Sequence, residues 1–296
     1  MIDCPDIPLN VSRSMLQNDP YVRKIAGHIT KKVADRLVQL FRTEREKFEG
    51  YWDDIHPFVK FGMLEDDKFY EAAKDVVLFR STAGGHTTVS DYLARNQEKA
   101  ESQVFYAEEG DAQATYLSLF KAEGLEALYV QGLLDTHFIH FLESKDRAVK
   151  WVRVDAAVSD HLVEKNATQL VDADGKTTDE KLKAIAETAL AGKGVDIQVQ
   201  SLKSADVSGL LTQGEMERRM QEMSRMWKGM GELPVKKTLV LNANSPVVKK
   251  LLATEDAAQS RVLAEHVYDL ARLADGGLQG EDLAAFIARS HKLLGG

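Results

Sequence analysis

The sequence lacks the features of an exported, disulfide-linked or membrane-spanning protein. Cys4 is the single cysteine in 296 residues, which excludes an internal disulfide, and its acidic neighbours disfavour a reactive thiolate. No run approaches the roughly 20 apolar residues that cross a bilayer. The N-terminus has neither the basic nor the apolar region of a signal peptide. The expected location is therefore the cytoplasm.

An excess of positive charge is also missing. The formal net charge is −8, and the sequence has no cluster of Lys and Arg that could neutralise phosphates. Nucleic-acid binding is therefore not expected. The sequence contains no GxxxxGKS/T or GxGxxG loop, and it gives no ground for ATP binding by this chain alone. With 44% hydrophobic and 28% charged residues, the chain can bury apolar cores, and its length fits two domains.

The first half of the chain predicts helices followed by a small α/β layer. Apolar residues at steps of three and four predict a helix that begins near Pro20: Val22, Ile25, Ile29, Val33, Leu37 and Phe41. Further helices are predicted over residues 51–61, 68–79 and 89–99. Strands over 104–107, 125–130 and 151–154 then alternate with helices over 111–121 and 135–142, which predicts a parallel sheet.

The polar segment 166–178 is the predicted linker between two domains. Beyond it we predict a helix over 179–191, strands over 195–202, 207–211 and 237–241, a Met-rich helical segment over 215–230, and two terminal helices. The predicted fold class is mixed α+β. It comprises a helical part over 19–99, a small αβα layer over 103–160, and an α+β C-terminal domain over 179–296 that ends in a helical hairpin.

The most specific signal lies in the segment 8–17, Pro8-Leu9-Asn10-Val11-Ser12-Arg13-Ser14-Met15-Leu16-Gln17. The guanidinium of an Arg at the entry to a helix matches phosphate oxygens. Arg13 and Gln17 share one face if the turn is helical. From the residue types alone, however, Arg13 is interpreted as an ordinary surface residue at a helix start.

A longer match changes that interpretation. Residues 3–17 resemble the catalytic-loop signature of the heat-shock protein 90 chaperone family: Asp3-x-Pro5-Asp6-Ile7-Pro8-Leu9-Asn10-Val11-Ser12-Arg13-x-Met15-Leu16-Gln17. In that family, this Arg reaches from the middle domain to the ATP γ-phosphate held by the N-terminal domain. The resemblance implies that Arg13 contacts the phosphate and that Gln17 supports the same loop. It implies no cofactor in this chain itself, and ATP with Mg in the intact protein.

The resemblance covers essentially the whole chain. It includes Val104-Phe105-Tyr106-x-x-x-Gly110, Leu133-Leu134-Asp135, Met216-Glu217-Arg218-x-Met220, Leu241-Asn242 and Pro246-x-Val248. It implies that residues 1–165 are the C-terminal part of the family's middle domain and that 179–296 are its dimerisation domain. Met1 is expected to be a truncation, because the nucleotide domain precedes this motif in the family. The short C-terminus without an acidic tail favours a bacterial member.

The Met-rich segment has two interpretations. Met216, Met220, Met223, Met226 and Met230 recur at helical steps beside Trp227, opposite a charged face. From the pattern alone, such a stripe packs into its own core, although Met is also over-used at promiscuous binding surfaces. In the family, a segment at this place contributes to client binding. The resemblance therefore implies that clients contact Met216, Met220, Met223, Met226 and Trp227.

The C-terminal hairpin also carries apolar stripes. Leu263, Val267 and Leu270 lie on a predicted helix over 257–274, and Leu283, Phe286 and Ile287 on one over 281–294. From the residues alone, docking on their own domain and pairing with a second copy are equally open. The family dimerises here, so the resemblance implies that these six residues form a four-helix bundle in a homodimer.

Two histidines supply the alternative in a different class of protein. His137 and His140 are three residues apart beside Asp135, the spacing of a metal pair on a helix. A third ligand is not apparent, so no metal site is predicted, and a metal-dependent hydrolase is the less favoured function. In related chaperones this helix carries an exposed aromatic that contacts clients, and here the matching region offers His137 and Phe138.

The expected function is that of a fragment of an ATP-dependent molecular chaperone. The fragment is expected to dimerise and to bind unfolded or partly folded clients, without being an enzyme itself, while the intact protein is an ATPase. Its own N-terminal ATPase domain is a further expected partner in the intact protein. Nucleic acids and membranes are not expected partners. A purely structural dimerisation module is the second alternative.

Overall fold

A computed structural model describes residues 20–110, 113–156, 158, 160–164, 175–214, 217, 220 and 236–295. The chain divides into two compact units, Met1–Arg95 with Val130–Val149, and Asn96–Tyr129 with Lys150–Gly296. This division differs from the predicted domain limits at 165 and 179. The predicted αβα layer shares a core with the C-terminal residues Leu202 and Leu210, so most of it belongs to the second unit.

The described elements follow one another in chain order. They are α1 (Pro20–Thr43), α2 (Arg45–Glu65), α3 (Asp67–Ala73), a 3₁₀ turn (Lys74–Val76), β1 (Phe79–Ser81), β2 (His86–Thr87), α4 (Val89–Asn96), β3 (Gln103–Glu108), α5 (Ala114–Ala122), β4 (Leu128–Val130), α6 (Gly132–Lys145), β5 (Lys150–Arg153), α7 (Thr178–Ala189), β6 (Asp196–Gln200), β7 (Gly209–Thr212), β8 (Thr238–Asn242), α8 (Pro246–Ala253), α9 (Ala257–Ala274) and α10 (Gly280–Gly295). The predicted mixed α+β fold is confirmed.

Two predicted boundaries and one missed helix need correction. The helix predicted over 68–79 ends at Ala73, because the apolar run from Val76 to Phe79 enters the core and continues into β1. The strand predicted over 125–130 is limited to β4. Helix α8 was not predicted, although Pro246 at its start is a typical first helical residue.

In the first unit, helices α1, α2, α3 and α6 pack around a core that includes Phe48, Trp52, Met63 and Leu78, each at most 2% exposed. The Trp52 indole Nε1 donates a 2.9 Å hydrogen bond to the Leu78 carbonyl. Asp66 separates α2 from α3, since its carboxylate accepts a 2.8 Å bond from the Lys68 amide and caps the new helix.

A buried ion pair joins α2 to α6. The Lys60 Nζ lies 2.6 Å from Oδ1 of Asp135, and both side chains are 3% exposed. The second carboxylate oxygen of Asp135 accepts a 2.9 Å bond from the Gln131 amide. Desolvation lowers the pKa of Lys60, although the Asp135 carboxylate opposes that shift. The buried pair is therefore tolerated because each charge has an opposite charge as its partner. A single unpaired charge at this place would destabilise the fold.

The second unit contains the predicted parallel strands. β3 runs parallel to β5, with Val104 opposite Trp151, and β4 lies on the other side of β3. In the C-terminal sheet β8 is central, parallel to β6 and antiparallel to β7. Helices α7 and α9 contact this sheet.

Asn242 at the end of β8 ties the neighbouring loops together. Its side chain is fully buried. The amide oxygen accepts bonds of 3.0 Å from the amides of Leu202 and Asn244. The amide nitrogen donates to the carbonyls of Ser204 and Val207 at 2.8 and 2.7 Å. All four hydrogen-bonding positions of this side chain are thus used, which holds the loops at one end of the sheet.

We expect Asp135→Ala to lower the free energy of unfolding by about 3–5 kcal/mol, because the substitution leaves the Lys60 ammonium buried without its partner. Urea denaturation of the wild-type and variant chains measures this. The matched control is Asp67→Ala, which removes a 2.7 Å pair with Lys145 in which the Asp67 side chain is 75% exposed, at a cost of at most about 1 kcal/mol. Equal effects of the two substitutions would contradict the conclusion that the Lys60–Asp135 pair is buried and stabilises the first unit.

Candidate functional site

Several predicted site residues lie outside the described residues. They are Arg13 and Gln17 of the catalytic-loop signature, and Met216, Met223, Met226 and Trp227 of the Met-rich segment. Met220 is described and has helical backbone conformation. Its side chain is 56% exposed, which places at least this methionine on the surface rather than in a core.

The C-terminal hairpin of α9 and α10 is the predicted site that the structure describes in full. Asp256 caps the N-terminus of α9, since its carboxylate accepts a 2.7 Å bond from the Gln259 amide. The hairpin turns at Asp275-Gly276-Gly277, between the predicted helices over 257–274 and 281–294. Gly276 has φ of +69°, and the Gly277 amide donates to the Arg272 carbonyl at 2.9 Å, as a helix-ending turn requires.

One face of α9 is covered by its own chain. Leu263 and Val267, both predicted as dimerisation residues, are 6% and 0% exposed. Leu263 packs with Leu182 of α7 and Leu251 of α8, while Val267 packs with Leu211 of β7 and Leu239 of β8. The structure therefore places both side chains in the core of the unit.

Helix α10 is covered far less. Phe286 is its one buried residue, and the Phe286 ring stacks on the His266 ring with centroids 5.1 Å apart. Ile287 and Leu294 are 48% and 88% exposed, and Leu283 is half-buried. A helix that is fully packed in a core buries its apolar stripe, whereas much of the apolar face of α10 stays exposed to solvent.

Salt bridges fix how α10 lies on α9. The Arg289 guanidinium pairs with Asp269, and it lies 3.3 Å from Glu265. At the turn, Arg272 pairs with Asp282 at 2.7 Å and thereby lowers the pKa of that carboxyl. Burial lowers the pKa of His266, and the Arg289 charge adds to this effect. The sequence pattern did not reveal these links, because they join residues on separate helices.

The exposed apolar side chains of the hairpin therefore come from both helices. Leu270 is half-buried, and Val262 and Leu273 of α9 are 36% and 44% exposed. Together with Ile287 and Leu294, we call these the hairpin surface. Val262 and Leu273 were not predicted as site residues, although the same periodicity that marked Leu263 and Leu270 also contains them on the neighbouring side of the helix.

The same hairpin borders a groove between α8, α9 and α10. The groove has a volume of about 360 Å³ and is lined by Lys250, Ala258, Gln259, Val262, Leu263, Lys292 and Leu293. Its lining includes the apolar side chains of Val262, Leu263 and Leu293, and its two ammonium groups come from α8 and α10. It continues the hairpin surface beyond Val262.

The histidine pair does not develop into a metal site in the described part of the chain. The Asp135 carboxylate beside it binds Lys60 and the Gln131 amide. Within the described ranges, no group of three His, Cys, Asp or Glu side chains is arranged to hold a metal ion. Phe138 is 0% exposed and offers no client contact, whereas His137 is exposed.

Among the described residues, no helix has the length and apolar character needed to cross a bilayer.

Comparisons with known proteins place this arrangement in a family. Residues 1–295 match the family model described as Hsp90 protein. A relative from Porphyromonas gingivalis, named Chaperone protein HtpG, is 37% identical over 279 residues, which are 90% of this chain and 40% of the relative. Relatives of that name from Bacteroides fragilis and Polaromonas naphthalenivorans are 36% and 30% identical, over 89% and 99% of this chain and 40% and 47% of the relatives. The chain thus spans less than half the length of these relatives.

Proposed function

This chain belongs to the Hsp90 protein family, and from that membership we propose that it works as part of an ATP-dependent molecular chaperone of the bacterial cytoplasm. In this proposal it dimerises, binds non-native client proteins and supplies an arginine to an ATPase site on another domain. The observation that carries the proposal is the family match over residues 1–295, together with the exposed hairpin surface on the part of the chain that the resemblance assigns to dimerisation.

Dimerisation is supported by the state of α10. Ile287 and Leu294 are exposed, so a second copy that covers them gains the apolar burial that the single chain lacks. A stable interface needs on the order of 1,600 Å² in total. Two hairpin surfaces that meet about a twofold axis form a four-helix bundle, in which each helix contributes its uncovered face. Leu270, Leu283 and Phe286 would line the edge of that interface.

The client surface rests on Met220 and the segment around it. Methionine packs readily into cores, so the exposure of Met220 is unusual. Its flexible thioether adapts to many partner shapes. The blander alternative is a structural dimerisation module without a client surface. The two hypotheses predict different results when side chains in the Met-rich segment are truncated and the dimer persists. Client protection falls if the segment binds clients, and it is unchanged in a purely structural module.

Arg13 is proposed to act on ATP held by a domain that is not part of this chain. Its guanidinium would stabilise the charge that develops on the γ-phosphate, and Gln17 would support the loop. An arginine in this role is typically worth about 10³–10⁵ in rate. The chain alone is then expected to hydrolyse no ATP, since the phosphate site is only half present.

For dimerisation, we expect Ile287→Glu/Leu294→Glu to weaken self-association at least tenfold, because four carboxylates would then enter an apolar interface. Sedimentation velocity over a concentration series measures the shift from dimer to monomer, and circular dichroism checks that the helices persist. Leu133→Glu is the matched control, because Leu133 is 64% exposed on α6 and lies outside the hairpin surface. A double variant that associates like the wild type would refute this interface.

For client binding, we expect Met220→Ala/Met223→Ala to reduce protection of an aggregating protein roughly thirtyfold, since the two truncations together remove about 2 kcal/mol of apolar contact. Light scattering of a heat-denatured client at several chaperone ratios measures the protection. Val33→Ala, at a residue 46% exposed on α1, is the control. Unchanged protection in a dimeric double variant would favour the structural module.

For Arg13, we expect Arg13→Ala in the intact protein to lower ATP turnover by about 10³-fold or more, while the nucleotide dissociation constant changes by no more than about threefold. Steady-state hydrolysis and fluorescent-nucleotide titration provide the two values. Lys24→Ala, at an exposed position on α1, is the control. If affinity falls as much as turnover, Arg13 binds the ground state and the catalytic assignment fails.

A further inference from the structure

Helix α2 carries an exposed ridge that neither the core nor the proposed function uses. Its residues recur at steps of three and four along one face: Tyr51, Asp54, Phe58, Phe61 and Glu65. Tyr51, Phe58 and Phe61 are 48%, 79% and 58% exposed. We call this set the α2 ridge.

The fold of the first unit does not require these aromatic rings. The opposite face of α2 is already buried through Phe48, Trp52, Val59 and Met63, so the helix is held without the ridge. Three partly exposed rings present on the order of 400 Å² of mostly apolar surface. That is the size of the largest patch on a typical monomer, and such a patch is often functional.

The charges of the ridge are unpaired, in contrast to those beside it. Among the described residues, no cation lies within ion-pair distance of the carboxylates of Asp54 and Glu65. The neighbouring carboxylates do have partners: Asp53 pairs with Arg80 at 2.5 Å, and Glu49 pairs with Arg45 at 2.5 Å. The ridge therefore combines aromatic faces with two free negative charges. That combination attracts a guanidinium or ammonium group by both cation–π and ionic contact.

We propose that the α2 ridge docks a cationic amphipathic helix of a partner polypeptide, with apolar side chains on the three aromatic rings and Lys or Arg side chains on Asp54 and Glu65. The alternating steps of three and four are those of a helix–helix seam. The inference rests on the proposed chaperone function, because it names the chemistry of a polypeptide that such a protein would hold.

Two other occupants fit less well. A second copy placed symmetrically on the ridge would bring like carboxylates together, which opposes association. An anionic lipid surface would meet Asp54 and Glu65 in a chain whose net charge is −8, so its headgroups are repelled. A cationic helix satisfies both the apolar and the charged parts of the ridge.

Fluorescence anisotropy with two labelled peptides on the full 296-residue chain tests this inference. One peptide is a Leu/Lys amphipathic helix, and the other is its Leu/Glu counterpart. We expect the Leu/Lys peptide to bind at least tenfold more tightly than the Leu/Glu peptide, and more weakly as salt rises. Phe58→Ser/Phe61→Ser should weaken its binding at least tenfold, whereas the control Val33→Ser, at a residue 46% exposed on α1, should change it by less than twofold. Asp54→Lys/Glu65→Lys should reverse the preference between the peptides.

Three outcomes would overturn the proposal. The first is that the Phe58→Ser/Phe61→Ser chain binds the Leu/Lys peptide like the wild type. The second is that this variant loses self-association in sedimentation, which would make the ridge a contact between copies. The third is that the wild type sediments with phosphatidylglycerol vesicles and this variant does not. If the variant dimerises and protects clients normally but peptide binding is unaffected, the ridge inference fails while the proposed function stands.

Discussion

The covering of one face of α9 is the constraint on which the C-terminal part of the molecule depends. Leu263, Val267 and Ala271 fill the space above the sheet and against α7, so this face is committed to the fold. Helix α10, which follows a glycine turn, can rest only on what remains of α9. It finds a stacked ring at His266 and carboxylates for Arg289 there, but little apolar surface. The hairpin surface is the consequence: the interactions that secure α9 leave most of the apolar face of α10 uncovered.

In both units, the polar groups that are most deeply buried have hydrogen-bond or ion-pair partners. The Lys60–Asp135 pair lies in the helical core with its remaining oxygen also bonded. The Asn242 side chain uses every donor and acceptor it has. Exposed charges, such as those of the α2 ridge, face no such requirement, and there an unpaired carboxylate costs the single chain little because water solvates it. The distinction separates charges that hold the fold from charges that remain free for a partner.

Much of the fold was predictable because local periodicity reports it. The stripe from Val22 to Phe41 corresponds to α1, and the alternation after residue 103 corresponds to the parallel pair of β3 and β5. The end of α3 at Ala73 was not predictable in this way, since an apolar run such as 76–79 fits helix or strand equally well until a core receives it. For the site, periodicity identified apolar positions on the hairpin without telling which side of each helix the sheet would cover.

The sequence by itself determined the family, through a long run of specific residues from Asp3 to Gln17. It also determined most of the helices and strands, with β1, β2 and α8 as exceptions, because such elements show in local patterns. Only the tertiary structure decided which apolar residues of the C-terminal hairpin are core and which are surface. It assigned Leu263 and Val267 to the former and Ile287 and Leu294 to the latter. The physical reason is that burial depends on residues far away in the chain: α9 packs against Leu182 of α7 and Leu239 of β8, which the pattern within α9 does not specify.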